Sequence, residues 1–256
     1  MAEAQSANGH GGGGGFELDP LHQFEIHAIV PIQVGDLNLS YTNSSLWMTI
    51  AVILITALMT LPTRGRALIP GRIQSIAEVL YETTANMLRE SAGREGRAYF
   101  PFIFSLFSFL LVGNLQGLIP GSFTFTSHIV VTFSLAIVVF LGTTAIGFIK
   151  HGPHFLKFFM PEGAPIWSAP LLVFIELISY LSRPVSLALR LFANMLVGHA
   201  LLKTIAGFVF VLGIAGIVPL AATVAITALE FLVAVLQAYV FAILSCIYLN
   251  DALHMH

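Results

Sequence analysis

From Ser168 to Leu249 the chain is almost continuously apolar over roughly 80 residues. A water-soluble domain of this length cannot hide so much apolar helix, since ~20 such residues already span a bilayer core of ~30 Å. The stretch therefore predicts membrane-embedded helices. The softer patch holding Gly207, Gly213, Gly216 and Pro219 divides it into two, 168–206 and 219–249. Each is longer than a perpendicular crossing requires, so strong tilt, or a course partly along the membrane plane against another protein, is expected. Pro184 removes a backbone hydrogen bond within the first of them and predicts a kink near Tyr180.

The rest of the chain agrees with this class. Hydrophobic residues make up 57% and charged residues 9% of 256, where a soluble protein is about one quarter charged. The expected fold is an all-α integral membrane protein with several crossings. There is no basic patch of a nucleic-acid binder, and the single Cys246 permits no disulfide within the chain. Residues 1–63 carry no Lys or Arg but five acids, Glu3, Glu17, Asp19, Glu25 and Asp36; Arg64, Arg66, Arg72, Arg89, Arg94 and Arg97 follow. The positive-inside rule then puts the N-terminus outside and the region around 62–98 on the cytoplasmic or matrix side. The N-terminus lacks the basic start and early apolar core of a signal peptide. Residues 1–44 are expected to form an outer-side segment, flexible at the glycine run Gly11–Gly15, and 45–256 a single membrane domain. His10, His22 and His27 are too loosely spaced for a metal site and read as solvated.

Within the membrane domain, 45–61 is a short span with Trp47 as interfacial anchor and Pro62 as its stop. Residues 72–90 place Ile73, Ile76, Leu80, Thr84, Met87 and Leu88 on one side and Glu78, Glu82, Asn86 and Arg89 on the other. That is an amphipathic helix, expected along the membrane surface, with packing on a partner subunit as the alternative. Residues 99–119 and 128–149 predict an antiparallel pair of spans, and Lys150 and Lys157 mark the inner side again. The loop from His151 to Pro165 carries three prolines and reads as irregular.

The last two helices hold Glu176, Ser179, Ser182, Arg183, Ser186, Arg190, Asn194, His199, Glu230 and Gln237. Arg190 is the costliest, at roughly 2.5–3.5 kcal/mol for a guanidinium at bilayer depth. At ~100° per residue, Glu176, Arg183 and Arg190 form one stripe, with Asn194 on the same side and His199 on the opposite face. Glu230 and Gln237 share a face of the final helix. Two polar environments follow: one around Arg190 and Glu176, the other around His199 and Glu230. Acids and imidazoles at this depth are the material of proton relays. Each also has a structural alternative. Arg183 can snorkel, Glu176 can pair with Arg183, His199 can be a neutral core histidine, and Asn194 and Gln237 can be interhelical hydrogen-bonding groups.

The segment SRPVSLALRLFANMLVGH, Ser182 to His199, resembles the signature of subunit a of the F-type ATP synthase. The stretch Ala228 to Ala252 resembles that family's C-terminal helix, and GNLQGLIP, Gly113 to Pro120, fits its pattern. The resemblance covers the chain from Phe16 onward. It implies a non-catalytic, proton-conducting stator subunit whose two long tilted helices pack against a rotor ring of c subunits, with b-type peripheral stalk subunits as further partners. It implies that Arg190 is the essential stator arginine facing the ring carboxylate and that Gln237 sits near it. His199 and Glu230 match an interacting pair in the proton inlet, arranged as in mitochondrial and alphaproteobacterial relatives, while Glu176 and Asn194 match proton-pathway positions. A bacterial inner membrane, a cytoplasmic C-terminus, and no cofactor or metal are expected. One departure is Gly117, where some bacterial relatives carry an acid.

Two other functions compete. A self-contained proton-coupled transporter would build its cavity within one chain, often from internal repeats; no repeat between the halves is evident. A purely structural membrane anchor would not need Arg190, His199 and Glu230 together.

Overall fold

The computed structural model describes residues 25–31, 33–34, 37–38, 40–62, 71–119, 121–159 and 168–254. The glycine run, His10, His22, Asp36, Arg64, Arg66 and residues 160–165 of the proline-rich loop lie outside the described residues.

The chain opens with strands that its sequence pattern did not announce. β1 (Ala28–Val30) pairs antiparallel with β4 (Tyr41–Thr42), and β2 (Gln33–Val34) with β3 (Leu37–Asn38). Thr42 then caps the first helix, α1 (Asn43–Thr60), its hydroxyl accepting from the Ser45 N–H at 3.4 Å. The remaining helices are α2 (Arg72–Ala92), α3 (Phe100–Gly117), α4 (Ile129–His151), α5 (Ala169–Val211) and α6 (Ile217–Leu253). Among the described residues, five helical stretches are long and apolar enough to cross a membrane: those around α1, α3, α4, α5 and α6.

α6 is the centre of the bundle, packing on α2, α3, α4 and α5. The core unites Met87 and Leu88 of α2, Leu110 of α3, Val139 of α4, Leu191 of α5, and Phe241 and Leu249 of α6. Outside it, large apolar side chains are exposed in numbers no water-facing surface carries, among them Val52, Ile53, Val138, Leu141, Phe174 and Ile178. They are suited to hydrocarbon.

Three local outcomes refine the sequence expectations. α2 is amphipathic, but it does not simply lie on a surface: Thr84, Met87, Leu88 and Ala92 are buried in the chain's own core, while Ile73, Ile76 and Val79 stay exposed. Residues 152–159 form 3-10 turns rather than irregular loop. The break between the long helices comes later and is shorter than the expected 207–218. α5 continues through Gly207 to Val211, because a glycine inside a helix costs only about 1 kcal/mol. The chain turns at Gly213, whose φ of 56° is the left-handed conformation that favours glycine. Pro219 falls in the first turn of α6, where its missing N–H would have had no helical partner. α5 also runs unbroken through Pro184. At ~1.5 Å per residue, 43 and 37 residues make helices of about 65 and 55 Å. Both exceed a ~30 Å core, so neither fits upright within it.

Candidate functional site

Arg190 lies at the midpoint of α5 and is exposed. Around it on the same helix Leu181, Val185, Leu189, Val197 and Leu201 are exposed, and Leu229, Leu232 and Leu236 are exposed on α6. The guanidinium therefore sits on an uncovered apolar face, together with Asn194. No described residue forms an ion pair or hydrogen bond with it. Tyr248 of α6 is close enough to feel its charge.

Its stripe-mate Arg183 is placed very differently. Its Nη1 donates to Asp251 Oδ2 of α6 at 2.9 Å, and its guanidinium lies 5.3 Å from the Tyr180 ring centre and 5.1 Å from that of Tyr248. Arg183 is thus held by Asp251 and two aromatic faces, and Glu176 is not its partner. A helix-spacing argument within α5 cannot find Asp251, which reaches Arg183 only through the α5–α6 packing. Glu176 is half-buried and makes no ion pair or hydrogen bond with a described residue.

The second polar region lies at the other end of the same two helices. A cavity of about 660 Å³ opens between the residue 25–27 segment, the start of α1, the α3–α4 connection and the ends of α5 and α6. His199 and Lys203 line it from α5, and Thr223 and Thr227 from α6. At its floor, His199 Nε2 meets Thr124 Oγ1 at 3.3 Å. Beside the cavity mouth His128 stacks on Phe123, ring centres 5.0 Å apart, and burial pushes its imidazole below the ordinary histidine value.

Further buried polar groups lie on α6 and α3. Glu230 approaches α5 at Gly198, where a Cβ would overlap its carboxylate, so any other residue there would displace the end of the glutamate side chain. Both Glu230 carboxyl oxygens are buried and have no hydrogen-bond partner among the described residues. Asn114 of α3 is fully buried and donates from Nδ2 to the Ala234 carbonyl of α6 at 3.1 Å, while its Oδ1 is unbonded. Gln116, two residues on, has neither terminal atom bonded. Buried polar groups are normally partnered, by protein or by water. Unsatisfied buried atoms of this kind are places where ordered water can bind.

Residues 45–250 match the family described as ATP synthase A chain. The chain belongs to that family. It is 59% identical to ATP synthase subunit a of Paramagnetospirillum magneticum over 93% of this chain and 99% of that protein. It is 57% identical to the subunit a of Parvibaculum lavamentivorans, covering 94% and 96%, and 56% identical to that of Rhodospirillum rubrum, covering 93% and 99%. Proteins of the ATP synthase A chain family are membrane subunits of the ATP synthase complex, not catalytic by themselves, and serve ATP synthesis and ion transport.

Seen as a member of the ATP synthase A chain family, the chain distributes its candidate residues unevenly. Arg190 and Asn194 share the exposed face, and Gln237 is half-buried on α6 next to Ala238, which packs in the same core cluster as Ala188 and Leu191. No hydrogen bond joins Gln237 to Arg190. His199 and Glu230 come to one region, but Glu230 sits against Gly198 and His199 bonds Thr124 instead of the carboxylate. Sequence reasoning passed over Asn114, Gln116, Thr124 and Lys203 as site residues. Asn114 and Gln116 at the end of an apolar span were a usable signal. Thr124, 75 positions from its partner His199, was not.

Proposed function

We propose that this chain is the proton-conducting stator subunit of an F-type ATP synthase, and that Arg190 separates two aqueous half-channels beside a rotating ring. The observation that carries this is Arg190 itself: a guanidinium midway along a long membrane helix, on an uncovered apolar face, with no ion partner among the described residues of its own chain. Such a charge is tolerable only if its counter-ion arrives from elsewhere. A carboxylate carried past on a ring of c subunits meets that requirement.

In this mechanism a proton enters by the cavity at the outer ends of α5 and α6. It passes His199, Asn114 and Gln116 to Glu230, and neutralises a ring carboxylate. The neutral carboxyl then crosses lipid at low cost, as the charged form cannot. After nearly a full turn it releases its proton near Glu176 on the inner side. Arg190 attracts the carboxylate in its charged form and repels protons that would pass straight between the half-channels. Asn194 and Gln237 orient the exchange. The drive is ~2.3 kcal/mol per charge per 100 mV. The assembly has b-type peripheral stalk subunits as further partners. It sits in a bacterial inner membrane with the N-terminus outside and the C-terminus in the cytoplasm.

The test is Arg190→Ala in the assembled complex, reconstituted into vesicles. Proton-driven ATP synthesis is expected to vanish while passive proton leak rises. Coupled synthesis retained in that variant would overturn the reading.

A further inference from the structure

We propose that Glu25 and His27 form a proton-collecting pair on the outer rim of the His199 cavity and feed it from solution. This rests on the half-channel reading above and extends it to residues outside the membrane helices.

The geometry is specific. Both side chains line the same cavity as His199 and Lys203. His27 Nε2 lies 3.7 Å from Glu25 Oε2, and the two side chains remain 68% and 55% exposed. They are therefore open to bulk water on one side and to the cavity on the other. The segment is held in place by its backbone. Asn43 at the start of α1 donates from Nδ2 to the Glu25 carbonyl at 3.0 Å and from its N–H to the His27 carbonyl at 3.1 Å. Its Oδ1 accepts from the His27 N–H at 3.3 Å. The pairing of β1 with β4 continues the attachment. A loose tail would not need an asparagine bonding the same short segment three times. Among the described residues the other charged groups on this cavity are Lys203 and, when protonated, His199, both on α5; α1, the α3–α4 connection and α6 contribute only uncharged residues to the lining.

Kinetics gives the pair a purpose. Free protons are scarce near neutrality. With capture limited to about 10⁹–10¹⁰ M⁻¹ s⁻¹, one acceptor at pH 8 meets a free proton only ~10–100 times per second. Surface groups that exchange protons with buffer acids enlarge the capture area and hold protons at the mouth. Exposed imidazoles and carboxylates are groups of this kind. The proton leaves a hydronium or buffer acid, binds a His27 ring nitrogen, and passes through cavity water to His199. No other bond changes.

The experiment compares Glu25→Gln/His27→Gln with the unaltered complex in vesicles, measuring proton-driven ATP synthesis as pH and buffer on the cavity side are varied. With weak buffer and mildly alkaline pH, the double variant is expected to be about three- to tenfold slower. Adding a small mobile buffer such as imidazole should shrink the deficit below about twofold, and His27→Glu, which keeps an exchanging group, should restore part of the rate. A deficit equal at every pH and buffer strength shows a structural role and overturns the proposal, as does no deficit under any condition. His199→Ala in parallel separates the two failures: if it runs at full rate, the half-channel reading itself fails.

Discussion

The two ends of the α5–α6 pair are built on opposite principles. Where the start of α5 lies against the end of α6, several charges are matched in pairs. Arg183 is bonded to Asp251 and flanked by Tyr180 and Tyr248, Lys150 is bonded to Glu95, and His254 lies 3.9 Å from the same carboxylate. Tyr180 shares a 2.6 Å hydrogen bond with Thr144, and His151 donates to the Leu253 carbonyl at 3.3 Å. The space enclosed beside Arg183 is about 10 Å³, at the lower edge of the ~10–15 Å³ one water needs. At the other end, where α5 finishes and α6 starts, there is an open cavity of about 660 Å³ lined by His199, and Glu230, Gln116 and Asn114 have buried polar atoms that are incompletely bonded. The lesson is that an intramembrane charge is not by itself a functional sign. Arg183 and Arg190 share one stripe of the same helix, yet one is satisfied inside the chain and the other is not.

That contrast can be broken by substitutions at the two ends. Glu230→Leu removes an unpartnered carboxylate, so the assembled complex should form normally while proton flux falls about 100-fold. Loss of assembly instead would mean that Glu230 is structural. Gly198→Ala introduces a methyl group where Glu230 lies. Displacing the carboxylate is worth roughly one tenfold step in flux, since overpacking costs about 1–3 kcal/mol; unchanged flux would show that the close approach has no functional weight. Arg183→Ala should do the reverse of Glu230→Leu. It should destabilise the purified complex by about 1–3 kcal/mol, read as a lower thermal midpoint, for a pair that is 22% and 32% exposed, and leave single-complex proton flux within about twofold. A larger flux defect would put Arg183 on the inner pathway. Lys150→Ala cuts an exposed pair and should leave both stability and flux unchanged within error.

Much of this architecture is legible in the amino-acid sequence. Helices, their order and the value of Arg190 follow from hydropathy and the cost of burying charge, both properties of single residues. The boundary of α5 is less legible, because Gly207 and Gly213 look alike in sequence and only one adopts a left-handed turn. The strands between Ala28 and Thr42 are two or three residues long, too short for any alternation to show. What stays hidden is what depends on packing register. Asp251 as the partner of Arg183, Thr124 as the partner of His199, and the approach of Glu230 to Gly198 all join distant positions. The place of His27 on the cavity rim is likewise invisible; in sequence it is one more solvated histidine.

The short turn at Gly213 also has a mechanical side. α5 and α6 are joined at one end by residues 212–216 and fastened near the other by Arg183 and Asp251. A slender rod clamped at both ends is far stiffer at its middle than one clamped at a single end. Arg190, only seven residues or about 10 Å from the Arg183 clamp, sits on that stiffened stretch. A sideways push on the guanidinium is shared between both fastenings instead of bending one helix away, so the load passes to the body of the bundle with little stored as flexure.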